Sequence, residues 1–338
     1  MALLKPSPYL SDTSRRRVLR AALALPAAAF MAGSARAQSL FNRPVRMVVP
    51  FAAGGPTDTM TRAIAPAFGE ALGQQIIVDN RPGAGGNIAA AFVASSPADG
   101  HTLLVAGQAI LAINKPLYGK LAYDPERDFA WIGMQGILPN VLLANPEAIP
   151  AKNVQELIAI AREKSGQVSY GSNGIGSLSH LTAEVMASAA GVKFLHVPYQ
   201  GAAPQRTDLL SGRIGFSLIA ASTAVPLARS GKLRALAVSS GMRSPAIPEV
   251  PTLVESGFPM LDAPVWFAAV ASAATPAPIL AALRSAFSAS ITTSAYAGEM
   301  DKQMGQALQM SPEAAATMLA RERRVWADAV RTTGATAS

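Results

Sequence analysis

An α/β fold is what this sequence predicts, and three observations carry the prediction. Short β-like runs alternate with helical stretches along most of the chain. Glycine-containing breaks stand where a strand would pass into a helix. The 338 residues, half of them hydrophobic, are enough for one large or two ordinary domains with sizeable cores. With no cysteine, disulfides and cysteine-ligated metal sites are excluded.

The elements follow in order. Val45 to Pro50 and Gln75 to Val78 read as strands flanking a helix that ends near Gly73, and Thr102 to Ala106 follows the turn Pro97-Ala98-Asp99-Gly100. These are crossover units of a largely parallel sheet. Pro66 falls where a helix interior would be, which predicts a kink or an irregular turn. Further on, Asn153 precedes Val154, Leu157, Ile158 and Ala161 at helical spacing, with Glu156 as a capping-box partner. Ile279, Leu283, Phe287 and Ile291 recur every four residues after the Pro-rich stretch Thr275 to Pro278. Ser311 and Pro312 open a last helix whose apolar face includes Leu319, Val325, Trp326 and Val330.

Residues 1–37 read as an export signal. Ser14-Arg15-Arg16-Arg17-Val18-Leu19-Arg20 resembles the twin-arginine signal pattern, a short apolar stretch runs from Ala21 to Ala35, and Ala35-Arg36-Ala37 offers a cleavage site before Gln38. A membrane anchor is the alternative, but about 15 residues broken by Pro26 fall short of the roughly 20 that a spanning helix needs. Twin-arginine and general secretory routes both stay open. The segment holds six of the 29 basic residues and one of the 21 acidic ones, so the remainder carries 23 against 20 and its net charge is +3 rather than +8. A near-neutral, aromatic-poor remainder gives no footprint for nucleic acid or for an anionic membrane.

Four breaks are candidate binding elements. In Phe51 to Asp58 a strand leads through Ala53, Gly54 and Gly55 to a helix whose first amides would favour an anion. The second, Asn80-Arg81-Pro82-Gly83-Ala84-Gly85-Gly86-Asn87, lacks the Gly-Lys-Ser/Thr ending of a phosphate loop. The third, from Tyr170 through Ser172, Asn173, Gly174, Gly176 and Ser177 to His180, offers hydroxyls and close backbone approach. The fourth, His196 to Pro204, brings Tyr199, Gln200 and Gly201. Each also reads as an ordinary capped turn.

Catalytic constellations are thin. His101, His180 and His196 show no metal-type spacing, and no Gly-x-Ser-x-Gly elbow occurs. Asp58, Asp79 and Asp99 near strand ends are explained by capping. No metal, no cofactor and no enzyme activity is expected.

The segments "VPFAAGGPTDTMTR", "NRPGAGGN", "SPADGHTLL", "YGSNGIGSLSHL", "HVPYQGAAPQRTDLLSGRI", "GKLRALAVSS", "RSPAIPEVPTLVESGFP" and "WFAAVASAATP" occur in that order. From about Asn42 to the last helix the chain resembles the Bug family, periplasmic receptors of the tripartite tricarboxylate transporter type. The resemblance implies a two-lobed periplasmic binding protein of the Venus-flytrap, type II-like kind, each lobe a mixed sheet flanked by helices. It places residues 40–141 and about 262–294 in one lobe, 142–261 and about 295–338 in the other. A small carboxylate would sit between them, held by backbone amides, hydroxyls and waters. Phe51, Ala53, Gly54, Gly55, Thr57 and Asp58 would form one wall, with Ser172, Asn173, Gly176, Ser177, Tyr199, Gln200 and Gly201 opposite.

The chain also departs from the family. After "DLLSG" the family commonly shows two acidic residues where this chain has Gly215 and Ile219. That implies either an acid without an ammonium group as ligand, or only a loosened structural contact. The implied partners are a small organic acid and membrane subunits of a tripartite transporter, or alternatively a sensor kinase, with the protein a periplasmic monomer cleaved near Ala37. An enzyme on the same frame and a structural or adhesion role are the remaining classes.

Overall fold

The computed structural model describes residues 40–199 and 201–336. The export-signal reading of residues 1–37 lies outside them, as does Gln200. Among the described residues no helix is long and apolar enough to cross a membrane.

Ten strands are described, in chain order β1 (Val45–Val49), β2 (Ile76–Asn80), β3 (Thr102–Gly107), β4 (Phe129–Leu138), β5 (Asn140–Ala144), β6 (Ser169–Ser172), β7 (Leu195–Pro198), β8 (Phe216–Ala220), β9 (Arg234–Val238) and β10 (Val265–Ser272). They form two five-stranded sheets, ordered β2-β1-β3-β10-β4 and β7-β6-β8-β5-β9. In the first sheet β1 runs parallel to β2 and β3, while β10 is antiparallel to both its neighbours. The second repeats the scheme, with β6 parallel to β7 and β8 and with β5 antiparallel to β8 and β9. Each sheet is therefore mixed, because a strand returning from elsewhere in the chain enters it antiparallel. β1 and β5 are nearly unbroken apolar runs, as strands covered on both faces require.

Local signals fix the helices. The first, α1 (Pro56–Leu72), ends on Gly73 at φ 65°, the left-handed stop that glycine favours. It continues through Pro66, so the expected irregular turn is absent and helical residues follow on both sides. Next come α2 (Asn87–Ala94), a π-helical turn at Ala109–Ile113 and the short α3 (Asn114–Tyr118). In α4 (Val154–Glu163) the Asn153 cap forms as expected, Glu156 N donating to Asn153 Oδ1 at 2.8 Å, while the Glu156 carboxylate accepts at 2.7 Å from Lys152 N, one residue before the cap. The second sheet is flanked by α5 (Leu178–Ala190), α6 (Ala202–Leu210) and α7 (Ala221–Arg229). α8 (Ala277–Ser290) buries Leu283 and Phe287, and the Phe287 ring packs edge-on to Phe68 at 5.7 Å.

Two segments cross between the sheets. β4 reaches β5 through Pro139 alone, and the chain returns over residues 239–264. They are laced together: Asn140 N donates to Ser239 Oγ at 3.1 Å, Ser239 N to Asn140 O at 2.9 Å and Ala263 N to Ser239 O at 3.0 Å. After that return the chain re-enters the first lobe. In α9 (Ser294–Lys302) the buried Tyr296 donates its hydroxyl to Gln135 O at 2.9 Å, and Gln306 pairs with Ile137 through both main-chain groups. Residues 295–306, expected with the second lobe, pair with the free edge of β4 at Ile137, while Met304 among them packs against the second lobe's core around Val141 and Leu143. The last helix, α10 (Pro312–Thr333), is capped by Ser311, whose Oγ accepts from Ala314 N at 3.2 Å. It bridges the lobes: Trp326, Ala329 and Val330 share one core with Ile113 and Leu117 of the first and Leu181 of the second. Arg323 anchors it further by donating to Leu111 O and Pro125 O.

Candidate functional site

The turn after β1 is shaped from behind by one carboxylate. Gly55 precedes α1 without any side-chain cap; instead Asp58, in the first turn, folds back and accepts from Gly54 N at 2.9 Å. The same carboxylate accepts from Arg62 Nε at 2.9 Å and Asn80 Nδ2 at 2.9 Å, while Asn80 Nδ2 also donates to Phe51 O at 3.0 Å. Burial pushes the Asp58 carboxyl up, but the hydrogen bonds from Arg62, Gly54 and Asn80 outweigh it and hold it below the usual carboxylate range. Asp58 and Thr57 are buried at 2% and 4% exposure, and Asp58 is committed to the loop.

On the opposite lobe, Ser177 caps α5: its Oγ accepts from His180 N at 3.3 Å and donates to Gly174 O at 2.7 Å. Asn173 N donates to Ser179 Oγ at 3.2 Å. Gly174 at φ 114° and Gly176 at φ 76° make the reversal between β6 and α5 possible. Ser172 is fully buried behind this turn, its Oγ 2.6 Å from His196 Nε2. The Tyr199 hydroxyl donates to Asp208 at 2.9 Å, and burial together with that carboxylate pushes it up to about 12.

Between these turns lies a cleft of about 420 Å³. Of the residues expected to bind, Phe51, Asn173, Gly176 and Ser177 line it; Ala53, Gly54, Gly55, Thr57, Asp58, Ser172, Tyr199 and Gly201 do not. The residues that sequence reasoning missed are mostly on the first lobe: Gly85, Gln108, Asn114, Tyr118, Val265 and Phe267, with Ile175 and Leu178 opposite. Phe51 meets Phe267 edge to face at 5.9 Å, forming an aromatic wall. Gln108 is locked by both ends of its amide, donating to Pro264 O and accepting from Trp266 N at 3.1 Å. Asn114 Nδ2 donates to Gly85 O at 3.0 Å and to Asn87 Oδ1 at 2.6 Å, tying the 83–87 loop to the cleft.

That loop carries four consecutive residues with positive φ, Gly83 (129°), Ala84 (47°), Gly85 (63°) and Gly86 (92°). The run closes on itself, with Gly86 N donating to Gly83 O at 2.9 Å and Asn87 N donating to Ala84 O ahead of α2. The glycine run was visible in the sequence; what concealed its place was its lack of a nucleotide-loop ending. Gly215 and Ile219, the departures from the family pattern, are both absent from the cleft lining. A Cβ on Gly215 would lie 2.5 Å from Ile149 Cγ1, and Ile219 is buried among Val141, Leu143 and Val225. Their packing in the second lobe fits the second of the two implied roles, a structural contact.

Among the described lining residues none is acidic or basic. Amide groups, the Tyr118 and Ser177 hydroxyls and helix starts therefore supply the polarity, on a wall that is otherwise aromatic and aliphatic. Such a site can bind and orient a solute, with helix N-termini favouring an anionic end by about 0.3–1 kcal/mol each. No group of three or more His, Asp or Glu among the described residues could hold a metal ion.

Residues 60–334 match the model of the tripartite tricarboxylate transporter family receptor. The chain is 35% identical over 324 residues to the UPF0065 protein in the tcbD-tcbE intergenic region of Pseudomonas sp. strain P51, covering 94% of each. It is 34% identical to protein BugT of Bordetella pertussis, over 91% of this chain and 95% of that one. Among solved structures, R. palustris Rpa4515 with adipate superposes with a TM-score of 0.75 at 33% identity, over 87% of this chain and 98% of the other. MatC from Rhodopseudomonas palustris with bound malate gives 0.73 at 32%, over 85% and 99%. Periplasmic binding protein BugD gives 0.73 at 31%, over 88% and 99%.

Proposed function

This chain belongs to the tripartite tricarboxylate transporter receptor family and is a solute-binding receptor rather than an enzyme, and from that premise we propose that its cleft takes a small carboxylate with an uncharged, largely apolar body. The observation that carries the proposal is the lining: main-chain turns and neutral amides for the acid, Phe51, Phe267, Ile175 and Val265 for the rest, and no acidic side chain to meet an ammonium group. Relatives of similar fold were solved with adipate and with malate, which supports an organic acid as the ligand class.

In this reading Phe51, Asn173, Gly176 and Ser177 act together with Gly85, Asn114 and Tyr118. Ala53, Gly54, Gly55, Asp58 and Thr57 support the first wall, and Ser172, Tyr199 and Gly201 support the second. The export segment is removed near Ala37, and the liganded receptor is handed to the membrane subunits of a tripartite transporter. The lobes close on the solute by bending at the paired crossing segments near Asn140 and Ser239.

Thermal melting with adipate, malate, phenylacetate and aspartate, followed by calorimetry, tests this. Ligand at 100 times its Kd stabilises by about 2.7 kcal/mol. Saturable stabilisation by adipate or phenylacetate, with aspartate silent, is expected. Tight binding of aspartate, or no shift with any acid, overturns it.

A further inference from the structure

We propose that His180 and His196 are positioning residues for the solute, a stacked pair of neutral imidazoles that holds the Asn173–Ser177 turn in the shape it presents to the cleft. This rests on reading that cleft as the solute site. The two rings stack with centroids 4.1 Å apart and planes 17° from parallel. Each grips the turn at a different point. His180 Nδ1 accepts from Gly176 N at 3.0 Å. His196 Nε2 lies 2.6 Å from Ser172 Oγ, which in turn bonds both the N–H and the carbonyl of Gly174 at 3.1 Å. His180 is 7% exposed and Ser172 fully buried, so water does not substitute for either contact.

The acceptor role fixes the chemistry. A ring that accepts at Nδ1 carries its proton on Nε2 and is neutral; a second proton would turn Nδ1 into a donor facing the Gly176 N–H. The charged and titratable groups around the pair are few. Glu184, on the same helix, accepts from the Tyr170 hydroxyl at 2.6 Å, and Tyr170 of β6 stacks on His196 at 4.9 Å. From α10 the neighbours of Leu181 are the apolar Trp326, Ala329 and Val330, and Phe216 of β8 stacks on Tyr170 at 5.4 Å. Burial holds both rings below the ordinary imidazole range, and His180 adds to the effect on His196, which lies at about 4 against a smaller opposing pull from Glu184.

Gly176 stands directly against the first lobe, since a Cβ there would lie 2.0 Å from Leu117 Cδ2. Releasing its amide therefore disturbs the surface on which the two lobes meet, as well as Ser177 beside it. In acid His180 loses its grip on the Gly176 amide and the cleft wall loosens; at neutral pH the wall is set before the solute arrives.

The test uses two substitutions. His180→Asn places an amide oxygen where Nδ1 stood and cannot titrate, whereas His180→Phe keeps a ring in the stack and removes the acceptor. The Gly176 amide is followed by NMR from pH 7.5 to 4.5 without added solute, and adipate binding is measured by calorimetry at pH 7.5 and 5.5. In the unsubstituted protein the amide should shift and lose exchange protection along a single titration. It should stay protected and nearly pH-independent in His180→Asn, and be unprotected throughout in His180→Phe, with adipate affinity at pH 7.5 lowered at least five-fold only in the latter. A Gly176 amide that titrates unchanged in His180→Asn, or stays protected in His180→Phe, overturns the proposal. Failure of adipate to bind any variant would count against the solute reading above, while the amide titration alone decides whether the pair holds the turn.

Discussion

Replacing Gly176 with alanine separates two costs that one methyl group imposes. The first is local: at φ 76° a side chain sits in the left-handed region, at about 1–2 kcal/mol. That strain exists whether the lobes are open or closed and appears as lost stability. The second cost acts between lobes, because the added Cβ would lie 2.0 Å from Leu117 Cδ2 and 3.1 Å from its Cδ1. Overpacking of this kind costs about 1–3 kcal/mol, and on the proposed closure of the lobes it is borne by the closed state, which predicts roughly a 5- to 150-fold loss of affinity. Urea unfolding without solute reads the first term; calorimetry with the best-binding carboxylate reads the second. In a Leu117→Ala background the same Gly176→Ala change should lower stability as before yet cost little affinity. An equal affinity loss with and without Leu117, or none in either, would refute the assignment of Gly176 to the meeting surface of the lobes.

Glu322 lies at about 7, raised by burial and further by Asp262 against hydrogen bonds from Trp266 and Trp326. The folded protein then binds more protons than the unfolded chain between about 4.5 and 7, so stability falls as pH rises through that window. Glu322→Gln should remove the decline and stabilise by about 3 kcal/mol at pH 8 with little effect at pH 4.5, as denaturant titrations at the two pH values would report. Gly215→Ala should destabilise by about 1–3 kcal/mol through Ile149 and leave the order of preferred acids unchanged, which melting curves with the acid panel would check. Phe51→Ala should lose the edge contact with Phe267, about 0.5–1.5 kcal/mol beyond buried area. Its affinity loss should be larger for phenylacetate than for malate.

Much of the fold was legible because its determinants are local. The Asn153 cap, the Ser311-Pro312 start and the Gly73 stop each act within a few residues, and the apolar runs of β1 and β3 needed no partner to be recognised. Pro66 misled because a proline removes one amide bond while α1 retains its packing on neighbouring elements, including the Phe68 contact with α8. The Gln306–Ile137 pairing was hidden for the opposite reason: it joins positions far apart in sequence and leaves no short-range mark.

The candidate site was half legible. Sequence identifies turns that follow parallel strands, and the cleft is built from such turns. It does not reveal which way a side chain faces once the turn has formed. Asp58 looked like a cleft residue and instead holds the loop from behind; the Tyr199 hydroxyl is taken by Asp208 in its own lobe. Conversely, Asn114 and Gln108 lie among apolar neighbours in "GQAILAINKPLYG", where a buried amide is the one available hint.

The neutrality of the cleft wall bears on how such a receptor changes over generations. Main-chain dipoles are the same whatever residue carries them, so few single substitutions can reverse the attraction for an acid. Ile175, Val265 and Phe267, by contrast, touch the space left for the rest of the solute and can be exchanged for other apolar residues at modest cost. A lineage built this way can wander among acids of different bodies while its hold on the acid group stays constant.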